Sequence, residues 1–398
     1  MDNYSKTQKT EEFINDKFDN LDRDNLPTAN IMVAGITGTG KSTLINAVFS
    51  SELAETGKGR PVTSHIAEYE SNDVPIRIWD TVGLELDSEK TKESIFSIKQ
   101  TIANKAESNN QFDRVHAIWY CINSGSSRYQ GAELEFIKNL HSIGVPFVIV
   151  LTQCIGEIDE IDAFEKQIHD INEKMGMPDI DVVQVCAKDF KLRGITIEAF
   201  GLEDLVNITL DKLPEFIKDG FVAAQRVSKV QKRECCEKII FEYVDIAQKG
   251  FWDKVPIINV FTTDSKITKM FTKIGHLYNT MISENEVEKL IKEIGVIDIP
   301  NGFWGLISPF TSKKYEKRID SLFRQKKEEG FNVQNEKLDK SERVSRMLAF
   351  YGYNFLDAME EVWEIATEEQ LKNMEFLLDN LKGRLQRKFS KNNKPQNK

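Results

Sequence analysis

The sequence predicts an α/β domain built on a mostly parallel, six-stranded sheet, followed by an all-α helical domain. Three observations carry this. From Asn30 to about Phe216, short apolar runs alternate with amphipathic helical stretches, the pattern of a parallel sheet covered on both faces. Within that region Ile31 to Leu44, IMVAGITGTGKSTL, sets Gly35, Gly40, Lys41 and Ser42 on the pattern GxxxxGK[ST], with an apolar strand running in and a helix running out. After about Lys218 the strand signal disappears and long polar helices with apolar stripes take over. The expected domains are an N-terminal helix over 1–29, the α/β domain over 30–218, the helical domain over 219–381 and a basic, flexible tail over 382–398.

Taken in order, Glu11 to Leu26 carries Phe13, Ile14, Phe18 and Leu21 on a helical stripe that stops before Pro27. Ile31 to Ala34 is the first strand and Lys41 to Phe49 the first helix. Ser64 to Ser71 and Pro75 to Asp80 read as neighbouring strands. Val115 to Ile122 and Pro146 to Thr152 are continuous apolar runs bounded by turn residues, as buried central strands are. Asp181 to Cys186 is the last strand. Ser88 to Ala106, Gly131 to Ser142, Ile161 to Met175 and Leu202 to Ile217 read as helices between and after them.

In the helical half, Val344, Met347, Leu348, Tyr351, Phe355, Met359, Val362, Trp363 and Ala366 recur by threes and fours, the stripe of a bundle core. Ile294 to Phe310 is apolar and aromatic, broken by Pro300 and Pro309. It reads either as a buried crossover or as a wedge for a membrane surface or partner groove. The tail holds Lys382, Arg384, Arg387, Lys388, Lys391, Lys394 and Lys398 without an acid, a solvated end or an anionic-surface contact.

Composition narrows the function classes. The 398 residues carry a net charge of −10, which argues against bulk attraction to nucleic acid. Five scattered cysteines fit reduced thiols in a cytosol better than a disulfide framework, and the polar start MDNYSKTQKTEEF gives no signal peptide. The expected location is therefore cytoplasmic, with peripheral membrane contact as the alternative. No apolar run reaches the ~18 residues of a membrane span. The five histidines do not cluster at metal-ligand spacing, and no GxSxG or Cys/His pairing announces a covalent nucleophile.

The loop residues Gly35, Thr37, Gly38, Thr39, Gly40, Lys41, Ser42 and Thr43 are of the types that hold a nucleotide's phosphates. Glycines let backbone N–H groups turn inward, the helix N-terminus adds partial positive charge, Lys41 reaches the β and γ phosphates and Ser42 ligates Mg²⁺. Trp79 to Glu85, WDTVGLE, then supplies Asp80 at a strand end and Gly83 three residues on. In this DxxG arrangement the carboxylate orients the Mg²⁺ shell and the glycine N–H meets the γ-phosphate. Between the two motifs, Thr63 in RPVTS is placed to close over the Mg²⁺, making Ser42, Thr63 and Asp80 the metal set.

With these motifs the sequence resembles the translation-factor-like P-loop GTPases, and within them the bacterial Era and TrmE group. GITGTGKST looks like their first motif, PVT like their switch segment, DTVG like their DTPG, and Cys186 to Lys188, CAK, like the SAK loop near the guanine. The resemblance spans Asn30 to Phe216 and implies a P-loop NTPase G domain that binds GTP and GDP with Mg²⁺. In such a switch, loops near Lys58 to Ser64 and Gly83 to Glu93 are held by the γ-phosphate and released on hydrolysis. It implies base contacts from Thr152, Gln153, Ala187 and Lys188. The helical half is loosely similar to a domain following such GTPases in bacterial, often membrane-associated, proteins. The partners it suggests are a second copy, another protein or a membrane surface.

Three departures bear on chemistry. The base-reading [NT]KxD motif falls on Thr152, Gln153, Cys154 and Ile155, so the guanine-reading aspartate is absent, with Glu157 or Asp159 as candidate substitutes. Leu84 stands where some GTPases position the attacking water with glutamine; Glu85, a backbone group or a partner must then do so. Arg60, three residues before Thr63, has the spacing of a cis arginine finger. Gly38, where potassium-stimulated relatives carry asparagine, argues against a potassium-assisted mechanism.

Overall fold

A computed structural model of the chain describes residues 26–49, 53, 60–63, 66–70, 74–81, 88–107, 110–126, 129, 131–192, 194–252, 260–294 and 338–391. The chain divides into two compact units, Leu26–Lys229 and the chain from Val230 onward. The expected leading helix, Gly83 to Glu85, residues 295–310 and the last seven tail residues lie outside the described residues.

The first unit is built on β1 (Ala29–Gly35), β2 (Arg60–Thr63), β3 (Ile66–Glu70), β4 (Ile76–Thr81), β5 (Ala117–Asn123), β6 (Phe147–Thr152) and β7 (Asp181–Gln184). They form one sheet in the order β2-β3-β4-β1-β5-β6-β7. From β4 to β7 every pairing is parallel; β3 runs antiparallel to both neighbours. The six expected strands are all present, and Arg60–Thr63 extends them as a short seventh at the edge. Every residue of β1 and β6 is buried, as a strand covered on both faces requires.

The covering helices are α1 (Lys41–Val48), α2 (Ser88–Ala106), α3 (Ala132–His141), α4 (Ile158–Lys174), α5 (Leu202–Lys212) and α6 (Glu215–Ala224). The single helix expected over Leu202 to Ile217 is two. Pro214 has no N–H and forces Leu213 into an extended conformation (φ −71°, ψ 144°), so α5 stops and α6 restarts. Helix α6 returns to the sheet: Phe49 stacks on Trp119 at 5.6 Å with Phe221 edge-on to both, and Trp119 Nε1 donates to Thr209 Oγ1 at 3.0 Å. This packing carries the first unit past the expected boundary at Lys218. A hairpin of β8 (Phe190–Leu192) and β9 (Ile195–Ile197), not anticipated from sequence, follows β7.

The second unit contains α7 (Lys229–Trp252), which begins one residue before it, then α8 (Val260–Leu277), α9 (Glu284–Ile294), α10 (Leu338–Trp363), α11 (Glu368–Lys372) and α12 (Met374–Lys391). The expected stripe is its core: Met347, Leu348, Phe355, Met359 and Val362 are buried, and Phe355 stacks on Phe271 at 4.0 Å. Arg233 ties α7 to α10 through Asp357 (3.2 Å) and Glu360 (2.6 Å). The expected flexible tail needs correction, because Lys382 to Lys391 continue α12. Three of their charges are paired, Lys382 with Glu293 (2.7 Å), Arg384 with Glu361 (3.4 Å) and Lys388 with Glu361 (2.7 Å). No described helix is long and apolar enough to cross a membrane.

Candidate functional site

The site begins where β1 ends. Gly35 has φ +145°, and a Cβ there would lie 2.4 Å from the Cys121 carbonyl oxygen on β5, so only glycine lets the chain turn here. Gly40, at φ +85°, caps α1 in a left-handed conformation and accepts the Leu44 N–H at 2.9 Å. Between them the Thr39 N–H (3.3 Å) and hydroxyl (2.8 Å) both donate to the Ile36 carbonyl, closing the loop on itself.

Two expected base-side residues hold this loop from the next strand ends. The Thr152 hydroxyl lies on the Thr39 and Ile122 carbonyls, and Gln153 Nε2 donates to the Gly38 carbonyl at 3.0 Å. Gln153 does so from φ +53°, an uncommon backbone for a residue with a Cβ, fixed by the Ile155 N–H on its carbonyl (2.8 Å) and the Ser124 hydroxyl (2.9 Å). Cys154 N–H donates to the Val185 carbonyl at 3.2 Å, bringing this turn beside Cys186, Ala187 and Lys188. Ala187 is half-buried and Lys188 exposed.

Lys41 is buried, and its ammonium donates to the carbonyls of Gly35 (3.0 Å) and Ile36 (3.3 Å). It sits at the inner side of the loop on bonds that incoming phosphate oxygens can replace. Asp80, in register with Val33 on the neighbouring strand, faces it: burial raises the carboxyl to about 6, and the Lys41 ammonium works against that rise. Its Oδ1 is buried without a hydrogen-bond partner. The Ser42 side chain, in the first turn of α1, is exposed. A carboxylate oxygen without a partner and an exposed hydroxyl are oxygen donors of the kind a Mg²⁺ ion takes. Ser42 and Asp80 therefore fit the metal.

Thr63 and Arg60 are not at the loop. Thr63 pairs with Ile66, which pairs with Thr81, so Thr63 lies two strands, about 10 Å, from the end of β4. Arg60 pairs with Glu68. Gly83, Leu84 and Glu85 lie outside the described residues.

Sequence reasoning missed the far side of the loop. Ile36, Thr37 and Gly38 also wall a cavity of about 390 Å³, closed opposite by Asn123, Ser126 and Glu133. Glu133 is 4% exposed; the Tyr120 hydroxyl donates to its Oε1 at 3.3 Å, and burial raises its carboxyl to about 7. In the sequence it is only an acid in the first turn of a helix, where any helix favours one.

Residues 30–153 match the family model described as 50S ribosome-binding GTPase. This stretch is a P-loop GTPase domain. The GTPase domain's sheet and loop lie in the first unit, and proteins of this family bind guanine nucleotides. The chain is similar to the septin homolog spn2 of Schizosaccharomyces pombe, 25% identical over 173 residues, 36% of this chain and 52% of that protein. It thus spans about half the length of that curated relative. Among solved structures it is similar to a probable GTP-binding protein EngB, at 20% identity, covering 48% of this chain and 99% of that one with a TM-score of 0.32. It is also similar to Era of Aquifex aeolicus bound to GDP and AlF4⁻, at 16% identity, covering 56% and 68% with a TM-score of 0.30.

Proposed function

We propose that this protein binds GTP with Mg²⁺ and hydrolyses it to GDP and phosphate as a switch of the Era and TrmE kind. The observation that carries the reading is the pairing across the loop of Lys41, resting on replaceable carbonyl bonds, with Asp80, whose carboxylate oxygen is orphaned. Backbone N–H groups of the loop and the α1 N-terminus bind the β and γ phosphates, and Lys41 moves from the loop carbonyls onto them. Mg²⁺ bound by Ser42 and Asp80 would supply charge neutralisation as the leaving GDP develops negative charge on its β-phosphate. Guanine is read from the Gln153 turn and the Cys186 to Lys188 loop without the usual aspartate. The helical unit relays the switch state to a partner protein, a second copy or a membrane surface, in the cytoplasm or peripherally at a membrane.

The test is Lys41→Ala: phosphate release falls by at least a hundredfold with the fold intact by circular dichroism. Wild-type turnover in that variant sinks the reading.

A second reading is a nucleotide-bound assembly protein with little hydrolysis. Leu84, which cannot orient water by hydrogen bonding, supports it, as does the similarity to a septin homolog. Light scattering that rises with GTP while no phosphate is released would favour it. A third reading, a dynamin-like membrane-associated GTPase, draws less support from the last helix, where Lys382, Arg384 and Lys388 are engaged by acids.

A further inference from the structure

The cavity behind the phosphate loop holds a titratable group that the chemistry above leaves unused. Its walls are Thr37 and Gly38 on one side and Asn123, Ser126 and Glu133 on the other. Glu133 is nine-tenths buried and has one partner among the described residues, the Tyr120 hydroxyl on Oε1; its second oxygen is left over. Asn123 spends its side-chain oxygen on the Gly125 N–H (2.8 Å) and keeps its NH₂. The hydroxyls of Thr37 and Ser126 make no hydrogen bond among the described residues. The cavity thus combines unpaired donors with one acid, beside the loop that wraps the phosphates.

We propose that Glu133 reads the terminal phosphate of a bound nucleoside triphosphate, taking up a proton as that phosphate arrives, so that the preference for triphosphate over diphosphate becomes pH-dependent. This rests on the nucleotide-binding reading above. The physics is Coulombic: a triphosphate brings more negative charge against the loop than a diphosphate. A carboxylate that shares a cavity wall with the same loop, with no cation against it among the described residues, answers by protonating. Once protonated it joins Thr37, Asn123 and Ser126 as a donor. Among the described residues, the titratable groups facing it are Tyr120 from β5 and Tyr129 from the segment before α3. Tyr129 is held by Asn172 of α4. From α2, Lys99 is engaged by Asn139, further along α3, and supplies no counter-charge in the cavity. Burial sets the free carboxyl near neutrality, where such an uptake is measurable.

The experiment is calorimetric titration of the full chain with Mg²⁺ and either GDP or a non-hydrolysable GTP analogue, at pH 7, in two buffers of different ionisation enthalpy. Wild type is expected to take up about half a proton more with the triphosphate than with GDP. In Glu133→Gln that excess falls to whatever the nucleotide alone contributes. The triphosphate-to-diphosphate affinity ratio of wild type is expected to fall by up to about tenfold per pH unit above 7. This profile tests the proposal even if the variant does not fold. Equal excess uptake in both proteins, or a ratio flat from pH 6 to 8, overturns it. If GDP also fails to bind, the nucleotide reading fails and this proposal falls with it. If GDP binds and the excess is absent, this proposal alone is wrong.

Discussion

Glu133 is where a single side chain sets a balance between stability and pH. Its carboxyl is raised from 4.5 to about 7 by burial in the folded protein. The folded state therefore holds its proton more tightly than the unfolded chain does. The stability this group contributes is whole below about 4.5 and is lost as pH rises through 7. Denaturant titrations at pH 6 and 8 should show part of the loss, about 1.4 kcal/mol, and Glu133→Gln should flatten it. Asp80→Asn should split two properties. Replacing this half-buried carboxylate, one of whose oxygens has no partner, by a neutral amide raises the denaturation midpoint of the ligand-free protein, while Mg²⁺-dependent nucleotide affinity falls. Gln153→Ala removes the neutral bond to the Gly38 carbonyl and should weaken GDP binding roughly fivefold, about 1 kcal/mol, by equilibrium titration. The residues readable in advance were those whose spacing encodes chemistry: Gly35, Gly40, Lys41, Ser42 and Asp80. Glu133 was not, because an acid in a first helical turn has a sufficient local reason to be there. Gln153 was readable as a position but not as a clamp, since its role depends on a left-handed backbone that no pattern announces.

At the scale of elements, apolar continuity made the central strands legible, because burial on both faces leaves little room for polar residues. The edges were harder. Arg60–Thr63 is short and contains a proline, and its strand character comes from pairing with β3 rather than from its own residues. The β8 and β9 hairpin is built from three-residue strands, below the length at which alternation can be recognised. The division of α5 from α6 was encoded in Pro214, and its purpose is the return of α6 to β1 and β4. Gly220 packs against the chain entering β1: a Cβ there would meet the Pro27 carbonyl oxygen at 1.7 Å, with no flexible side chain to yield. Gly220→Ala should therefore destabilise the protein by about 2 kcal/mol or more, read as a lower urea midpoint at unchanged m-value.

For the whole molecule, the division into two units means that each has a core of its own. Deleting the chain from Val230 onward should leave GDP affinity of the first unit within a few-fold of the full chain. A collapse of affinity would show that the nucleotide site needs the helical unit. The last helix was misjudged from sequence because a run of lysines and arginines reads the same whether water or carboxylates surround it. A map of deuterium uptake over the chain should carry one signature that runs against custom. Ligands ordinarily slow exchange wherever they act. Here Arg60–Thr63 is already tied to β3, and a Thr63 that closes over bound nucleotide must first leave that strand pair. Triphosphate binding should then appear as faster exchange at Ile66–Glu70, in the strand left without its neighbour, while the loop around Lys41 falls silent.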